Sequence, residues 1–123
     1  MKKLKAIRGA VCSENTKEEI IKNVCEMCNQ IFEKNGLQSE DLVSIQFSIT
    51  EEITKINPAS ALRLGKTCIN VTECALFCCQ EAKIENGMKN VIRVMITSYM
   101  DENTTKTNIY LNGAEKLRPD YTK

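Results

Sequence analysis

The chain has 123 residues, of which 27% are charged and 42% hydrophobic, the proportions of a globular protein rather than a disordered or fibrous one, and a single domain over residues 1–123 is expected from that length. Its 17 basic and 16 acidic side chains leave a formal net charge of +1, with no basic stripe to mark a nucleic-acid or anionic-membrane surface. Histidine is absent, which removes the commonest general base, the Ser and Cys triads that depend on it, and the usual catalytic zinc ligands.

The basic start (Lys2, Lys3, Lys5) leads into Ala6-Ile7-Arg8-Gly9 and not into a long apolar run, so no signal peptide is expected. Nowhere do about 18 apolar residues run together as a spanning helix requires. A cytosolic protein is the expectation. The odd number of cysteines, 7, fits reduced thiols better than a disulfide framework.

Residues 4–12 alternate loosely and predict a first strand, with Gly9 as a point of close approach to the backbone. A helix over 16–35 follows. Asn15 and Thr16 are N-cap candidates, Thr16 and Glu19 form a capping-box pattern, apolar residues recur from Ile20 to Ile31, and Gly36 supplies the stop. Ser39-Glu40-Asp41 reads as a turn, and 43–50 alternates with period two as a half-buried strand. Asn57-Pro58 is an N-cap with proline at the first helical position, opening a short helix that ends at Gly65.

Residues 67–80 are apolar and rich in cysteine, and predict two short strand pieces around Ala75 to Cys78. Asn86-Gly87 marks a turn. Val91 to Thr97 is a β-branched run suited to a central strand, and a last strand is expected around Thr107 to Leu111. This order predicts an α+β fold: a mixed β-sheet with helices on one face.

Arg93 is the sharpest anomaly. Alternation places it on one face with Val91, Met95 and Thr97, in a segment otherwise built for burial. A guanidinium there needs a partner, either a protein carboxylate such as Glu81 or a bound anion, because an unpaired buried charge costs several kcal/mol. Arg8 poses the same question beside Gly9, with a solvent-reaching edge arginine as the bland alternative. Cys78-Cys79-Gln80-Glu81 sets a thiol three residues before a carboxylate, though a cysteine is more often a small buried hydrophobe.

Cys25 and Cys28 form a CxxC inside the amphipathic helix, away from its N-terminus, and read as packing. A four-thiolate zinc site joining them to Cys78 and Cys79 stays open, against the fact that adjacent strand residues point to opposite faces. Tyr110, taken alone, reads as a core or rim aromatic.

Ile7-Arg8-Gly9-Ala10, Cys78-x-Gln80-Glu81, Ile92-Arg93-Val94-Met95, Tyr110-Leu111 and Leu117-Arg118-Pro119-Asp120, in this order, resemble the monofunctional AroH-class chorismate mutases over essentially the whole chain. The resemblance implies a homotrimer with a pseudo-α/β barrel core, active sites between neighbouring subunits, and the Claisen rearrangement of chorismate to prephenate with no metal and no cofactor. Arg93 would donate to the ether oxygen and a carboxylate. Arg8 and Tyr110 would bind carboxylate, and Glu81 and Cys78 would receive the ring hydroxyl. Arg63 and Arg118 would stand at the cleft mouth, and Ala59 and Leu117 would shape its walls.

A pericyclic step needs neither proton transfer nor a covalent intermediate, so a chain without histidine is sufficient for it. Arginine suits the task, since it stays charged and pairs with carboxylates through two bonds. The chain departs from the family pattern at Asn57 and Ser60, where an aromatic residue and a lysine usually stand in the segment that closes the cleft from the neighbouring subunit. The stretch from Lys66 to Ala75 is also a few residues longer than usual. Two alternatives follow: an imine deaminase of the Rid type, which shares a trimeric fold with an arginine in an intersubunit cleft, and a non-catalytic binder of a small dicarboxylate.

Overall fold

The computed structural model describes residues 1–121, apart from the side chain of Tyr121. Positions 122 and 123 of the expected 1–123 span lie outside the described residues. In chain order the elements are β1 (Lys2–Cys12), α1 (Lys17–Lys34), a 3-10 turn (Ser39–Asp41), β2 (Leu42–Ile49), α2 (Pro58–Leu64), β3 (Ala75–Gln80), β4 (Val91–Asp101) and β5 (Ile109–Leu111). Two further 3-10 turns, Ala114–Leu117 and Pro119–Tyr121, follow.

The strands form one mixed sheet in the order β3-β2-β4-β1-β5, so the β-branched run containing Arg93 is its central strand. β4 pairs antiparallel with both β1 and β2, whereas β3 lies parallel to β2 and β5 parallel to β1. This is the α+β class expected, with the helices on one face. β4 runs on to Asp101 because the basic start of the chain, from Lys2, pairs with it.

α1 begins where its cap predicts: the Thr16 hydroxyl accepts from the Glu19 N–H at 3.1 Å. The capping box is only half formed, since the Thr16 N–H bonds to the Glu14 carbonyl instead. The buried face of α1, including Ile20, Val24, Met27, Cys28, Ile31 and Phe32, covers Ile7 and Val11 of β1, Ile45 and Phe47 of β2, and Ile92, Val94 and Ile96 of β4. Each such side chain contributes roughly 1.5–3 kcal/mol on burial, and this layer is the main core.

α2 packs on α1 and reaches the sheet at β3. Between α2 and β3 the expected pair of strand pieces is a single strand, Ala75–Gln80, preceded by turns and irregular chain over 67–74. The last strand is shorter than expected, because Thr107 is bonded to Asn35 at the end of α1 and does not join the ladder.

Gly9 is a point of close approach, but what approaches is α1. A Cβ there would lie 2.9 Å from Ile31 Cδ1, 3.0 Å from Val94 Cγ1 and 3.1 Å from the Ile109 carbonyl oxygen. The two side-chain tips can shift; the carbonyl belongs to the β5 backbone and cannot. Gly9→Ala is therefore expected to destabilise the protein by about 1–3 kcal/mol, outweighing the stiffer unfolded chain. Thermal denaturation should show a fall of several degrees in Tm, and an unchanged or raised Tm would contradict this packing.

Candidate active site

The face of the sheet opposite the helices carries the chemistry. Cross-strand pairing aligns Cys79, Ser48, Arg93, Ala10 and Tyr110 in one row across β3, β2, β4, β1 and β5. The next row sets Phe77, Gln46, Met95 and Arg8 side by side. Arg8 and Arg93 thus stand diagonally on adjacent strands, within reach of one another's ligands. Ala10, the small residue between Arg93 and Tyr110, leaves the space above it open.

A cleft of about 330 Å³ results, lined by Arg8, Ala10, Gln46, Ser48, Cys79, Arg93, Met95, Tyr110 and Arg118 among others. Its wall behind Tyr110 is a small apolar cluster of Ala10, Val91 and Ala114, against which Leu117 packs. Arg118 reaches the cleft from the C-terminal segment, where its Nε and Nη2 donate to both carboxylate oxygens of Asp120 at 3.1 and 2.7 Å. Those bonds hold the Asp120 carboxyl below the usual carboxylate range.

Glu81 follows the last residue of β3, and its N–H donates to the Ile49 carbonyl at 2.8 Å. Its Oε2 accepts from the Ser48 hydroxyl at 2.9 Å and from Arg93 Nε at 3.0 Å. Both alternatives posed for Arg93 are therefore compatible. One N–H goes to Glu81, its sole partner among the described residues, and the other four donors of the guanidinium remain for a ligand. The two side chains are 43% and 22% exposed, and a pair so open to solvent adds at most about 1 kcal/mol to stability. The pair orients the guanidinium. Beyond Glu81 the surface dips again into a hollow of about 440 Å³ over residues 50–52 and 81–89, which Arg93 also borders.

Of the residues singled out in the sequence, Arg8, Arg93, Glu81, Tyr110, Leu117 and Arg118 come together here. Cys78 does not. Its thiol lies on the helix side of the sheet with Leu76, paired with Phe47, and burial pushes it up from the ordinary thiol range, with Cys79 adding to the effect. The thiol facing the cleft is that of Cys79. Glu81 N–H pairs inward to β2, and strand alternation turns the Cys78 peptide toward the free edge of the sheet, so Cys78 could meet a ligand only through its backbone.

Ala59, Ser60 and Arg63 stand on α2 and Asn57 at its N-cap, packed against α1, and none of them lines the cleft of its own chain. Asn57 caps α2, its Oδ1 accepting from the Ala59 N–H at 2.8 Å, and the Ser60 hydroxyl accepts from Arg63 Nη2 at 3.3 Å. Among the described residues no three His, Cys, Asp or Glu side chains gather as metal ligands, so Cys25, Cys28, Cys78 and Cys79 do not meet as a zinc site. Gln46 and Ser48 were given no role in the sequence, and Cys79 and Met95 none as cleft residues. The polar phase of 43–50 contains two of them, but only the register with β4 brings them beside Arg93.

Three arginines and a tyrosine thus line one cleft, with Glu81 bonded to Arg93 at its margin, on an α+β sheet without histidine. Residues 4–121 match the model of the family described as Chorismate mutase type I. The chain is 34% identical over 121 residues to Chorismate mutase AroH of Bacillus subtilis (strain 168), covering 95% of this chain and 91% of that one. It is 32% identical over 120 residues to Chorismate mutase AroH of Thermus thermophilus, covering 95% of each. Among solved structures, the chorismate mutase from Clostridium thermocellum superposes with a TM-score of 0.79 at 32% identity, over 91% of this chain and 98% of that one. The chain belongs to the type I chorismate mutases, enzymes of aromatic amino-acid biosynthesis, and not to the imine deaminases.

Proposed function

We propose that the cleft above Arg93 converts chorismate to prephenate by fixing the substrate's reactive conformer and stabilising the charge that develops on its ether oxygen. In this reading the Nη groups of Arg93 donate to that oxygen and to a carboxylate. Arg8 and Tyr110 bind carboxylate, and Glu81, already oriented by Ser48, accepts the ring hydroxyl. The observation that carries it is the single row that places Arg93 between the glutamate's strand and the tyrosine's, with Arg8 one row away. Confining a unimolecular rearrangement removes much of its entropic barrier, and one preorganised donor at a developing anion contributes about 3–4 kcal/mol. No titrating base is needed.

The same reading includes a homotrimer whose neighbouring subunit supplies Arg63, Ala59 and the Asn57–Ser60 segment. Two features support it. These residues lie away from their own chain's cleft, and the open sheet face and its margin expose Leu4, Phe77, Met95 and Tyr99, apolar surface that a partner subunit would cover. We place the enzyme in the cytosol: its cysteines are all free, and no helix among the described residues is long and apolar enough to cross a membrane.

The test is direct. Purified protein incubated with chorismate and a metal chelator should yield prephenate. Binding of chorismate without turnover would instead favour a non-catalytic dicarboxylate binder, the reading prompted by Asn57 and Ser60.

A further inference from the structure

β5 is three residues long, lies at the edge of the sheet and, among the described residues, pairs only with β1, yet it carries Tyr110 and launches the segment bearing Leu117 and Arg118. Ladder bonds over three residues are a weak anchor for a group that must hold a ligand to within a fraction of an ångström.

The two buried asparagines of α1 and its cap lie at the two ends of this strand. Asn35, 4% exposed, makes a two-way bond with the Thr107 peptide: its Oδ1 accepts from Thr107 N–H at 2.7 Å, and its Nδ2 donates to Thr107 O at 3.0 Å. Asn23, 6% exposed on the otherwise apolar face of α1, accepts through Oδ1 from Asn112 Nδ2 at 3.1 Å. Its own Nδ2 donates to Ser13 Oγ at 2.9 Å, just past the end of β1.

The spacing matches. Twelve residues of helix span about 18 Å, and the five steps from Thr107 to Asn112 in extended chain span about 17 Å. Asn112 takes a left-handed backbone, φ 55°, and Gly113 beside it φ 99°, so the turn that redirects the chain toward Arg118 begins at the clamped residue.

We propose that Asn23 and Asn35 are positioning residues of the active site, which clamp β5 at both ends and so set Tyr110 and Arg118 against the substrate. The proposal rests on the reading that Tyr110 binds substrate carboxylate, and adds that Arg118, which lines the same cleft, also meets the substrate. Those contacts exist before and during the rearrangement, so loosening the clamp weakens binding more than it slows the chemical step.

Asn112→Gly is the sharpest variant, since glycine keeps the left-handed backbone and removes only the amide. Its KM for chorismate should rise about tenfold with kcat within about twofold, and the rise should be clearly smaller in an Arg118→Ala background, where only the part that runs through Tyr110 is left. Asn35→Asp, which keeps the acceptor and loses the Nδ2 bonds to Thr107 O and, within α1, to Ile31 O at 2.8 Å, should act in the same direction. An unchanged KM in Asn112→Gly, or an equal rise with and without Arg118, overturns the proposal. If Arg118→Ala alone leaves KM unchanged, the substrate role of Arg118 is what fails. The clamp is then judged by amide hydrogen exchange at Ile109 to Asn112: faster exchange in Asn112→Gly sustains it, and unaltered exchange overturns it.

Discussion

Replacing Arg93 by lysine should lower kcat by about a hundred- to thousandfold while leaving the circular dichroism spectrum unchanged and the Tm within a few degrees of wild type. The reason lies in the fork. Arg93 spends Nε on Glu81 and keeps its other donors for a ligand in the cleft that it lines. A lysine ammonium is one compact centre, which can sit on Glu81 or reach toward an ether oxygen but cannot do both. The charge survives and the geometry is lost, so a large effect on turnover would separate directed donation from simple positive potential. The fold should tolerate the change because the Arg93–Glu81 pair is substantially exposed and contributes little to stability. Near-normal turnover of Arg93→Lys would remove Arg93 from the centre of the mechanism.

Mixing two inactive variants should restore activity if the neighbouring subunit completes each site. Arg93→Ala removes a group on the sheet, and Arg63→Ala removes one on α2, which does not line its own chain's cleft. Each alone is expected to lose at least about tenfold in kcat/KM. In trimers assembled at random from equal amounts of both, about one interface in four joins an intact Arg93 to an intact Arg63, so about a quarter of wild-type activity should return. A mixture no more active than its parents, after subunit exchange has been verified by mass, would show that both arginines act within one chain or that Arg63 takes no part.

The departures at positions 57 and 60 bear on the same surface. Asn57 uses its side chain to cap α2, a bond worth about 1 kcal/mol to such a helix. Ser60 is engaged by Arg63. Neither offers the apolar wall or the cation that the resemblance to the family leads one to expect there. The cost is expected in affinity for chorismate, since the groups around Arg93 are kept.

Both helices were legible because their ends are written in short-range chemistry. The Thr16 hydroxyl, the Asn57-Pro58 pair and the glycines at 36 and 65 act within one turn of chain, and the apolar spacing from Ile20 to Ile31 is a property of one face. The Val91–Thr97 run likewise announced a central strand, and alternation grouped Arg93 with Val91, Met95 and Thr97 on one face; that the guanidinium is half-exposed there and not buried is a property of the fold. Around Ala75 to Cys79 the same reasoning had nothing to work with. Every residue there is small or apolar, so the phase of the strand is not legible, and only the pairing with β2 shows that the Cys79 thiol faces the cleft while that of Cys78, named through the resemblance, lies on the helix side. Gly9 showed that something approached the backbone without showing from which side.

By itself, then, the sequence determined the elements, the α+β order, the absence of histidine chemistry and the face on which Arg93 stands, because each depends on residues close together in the chain. Only the tertiary structure decided that Ser48, Arg93, Ala10 and Tyr110 share one row, that Glu81 orients the guanidinium, and that α2 stands apart from its own cleft. Strand register and helix docking are settled by the fit of buried side chains between segments distant in sequence, and a shift of one residue in any strand would have turned these groups to the other face.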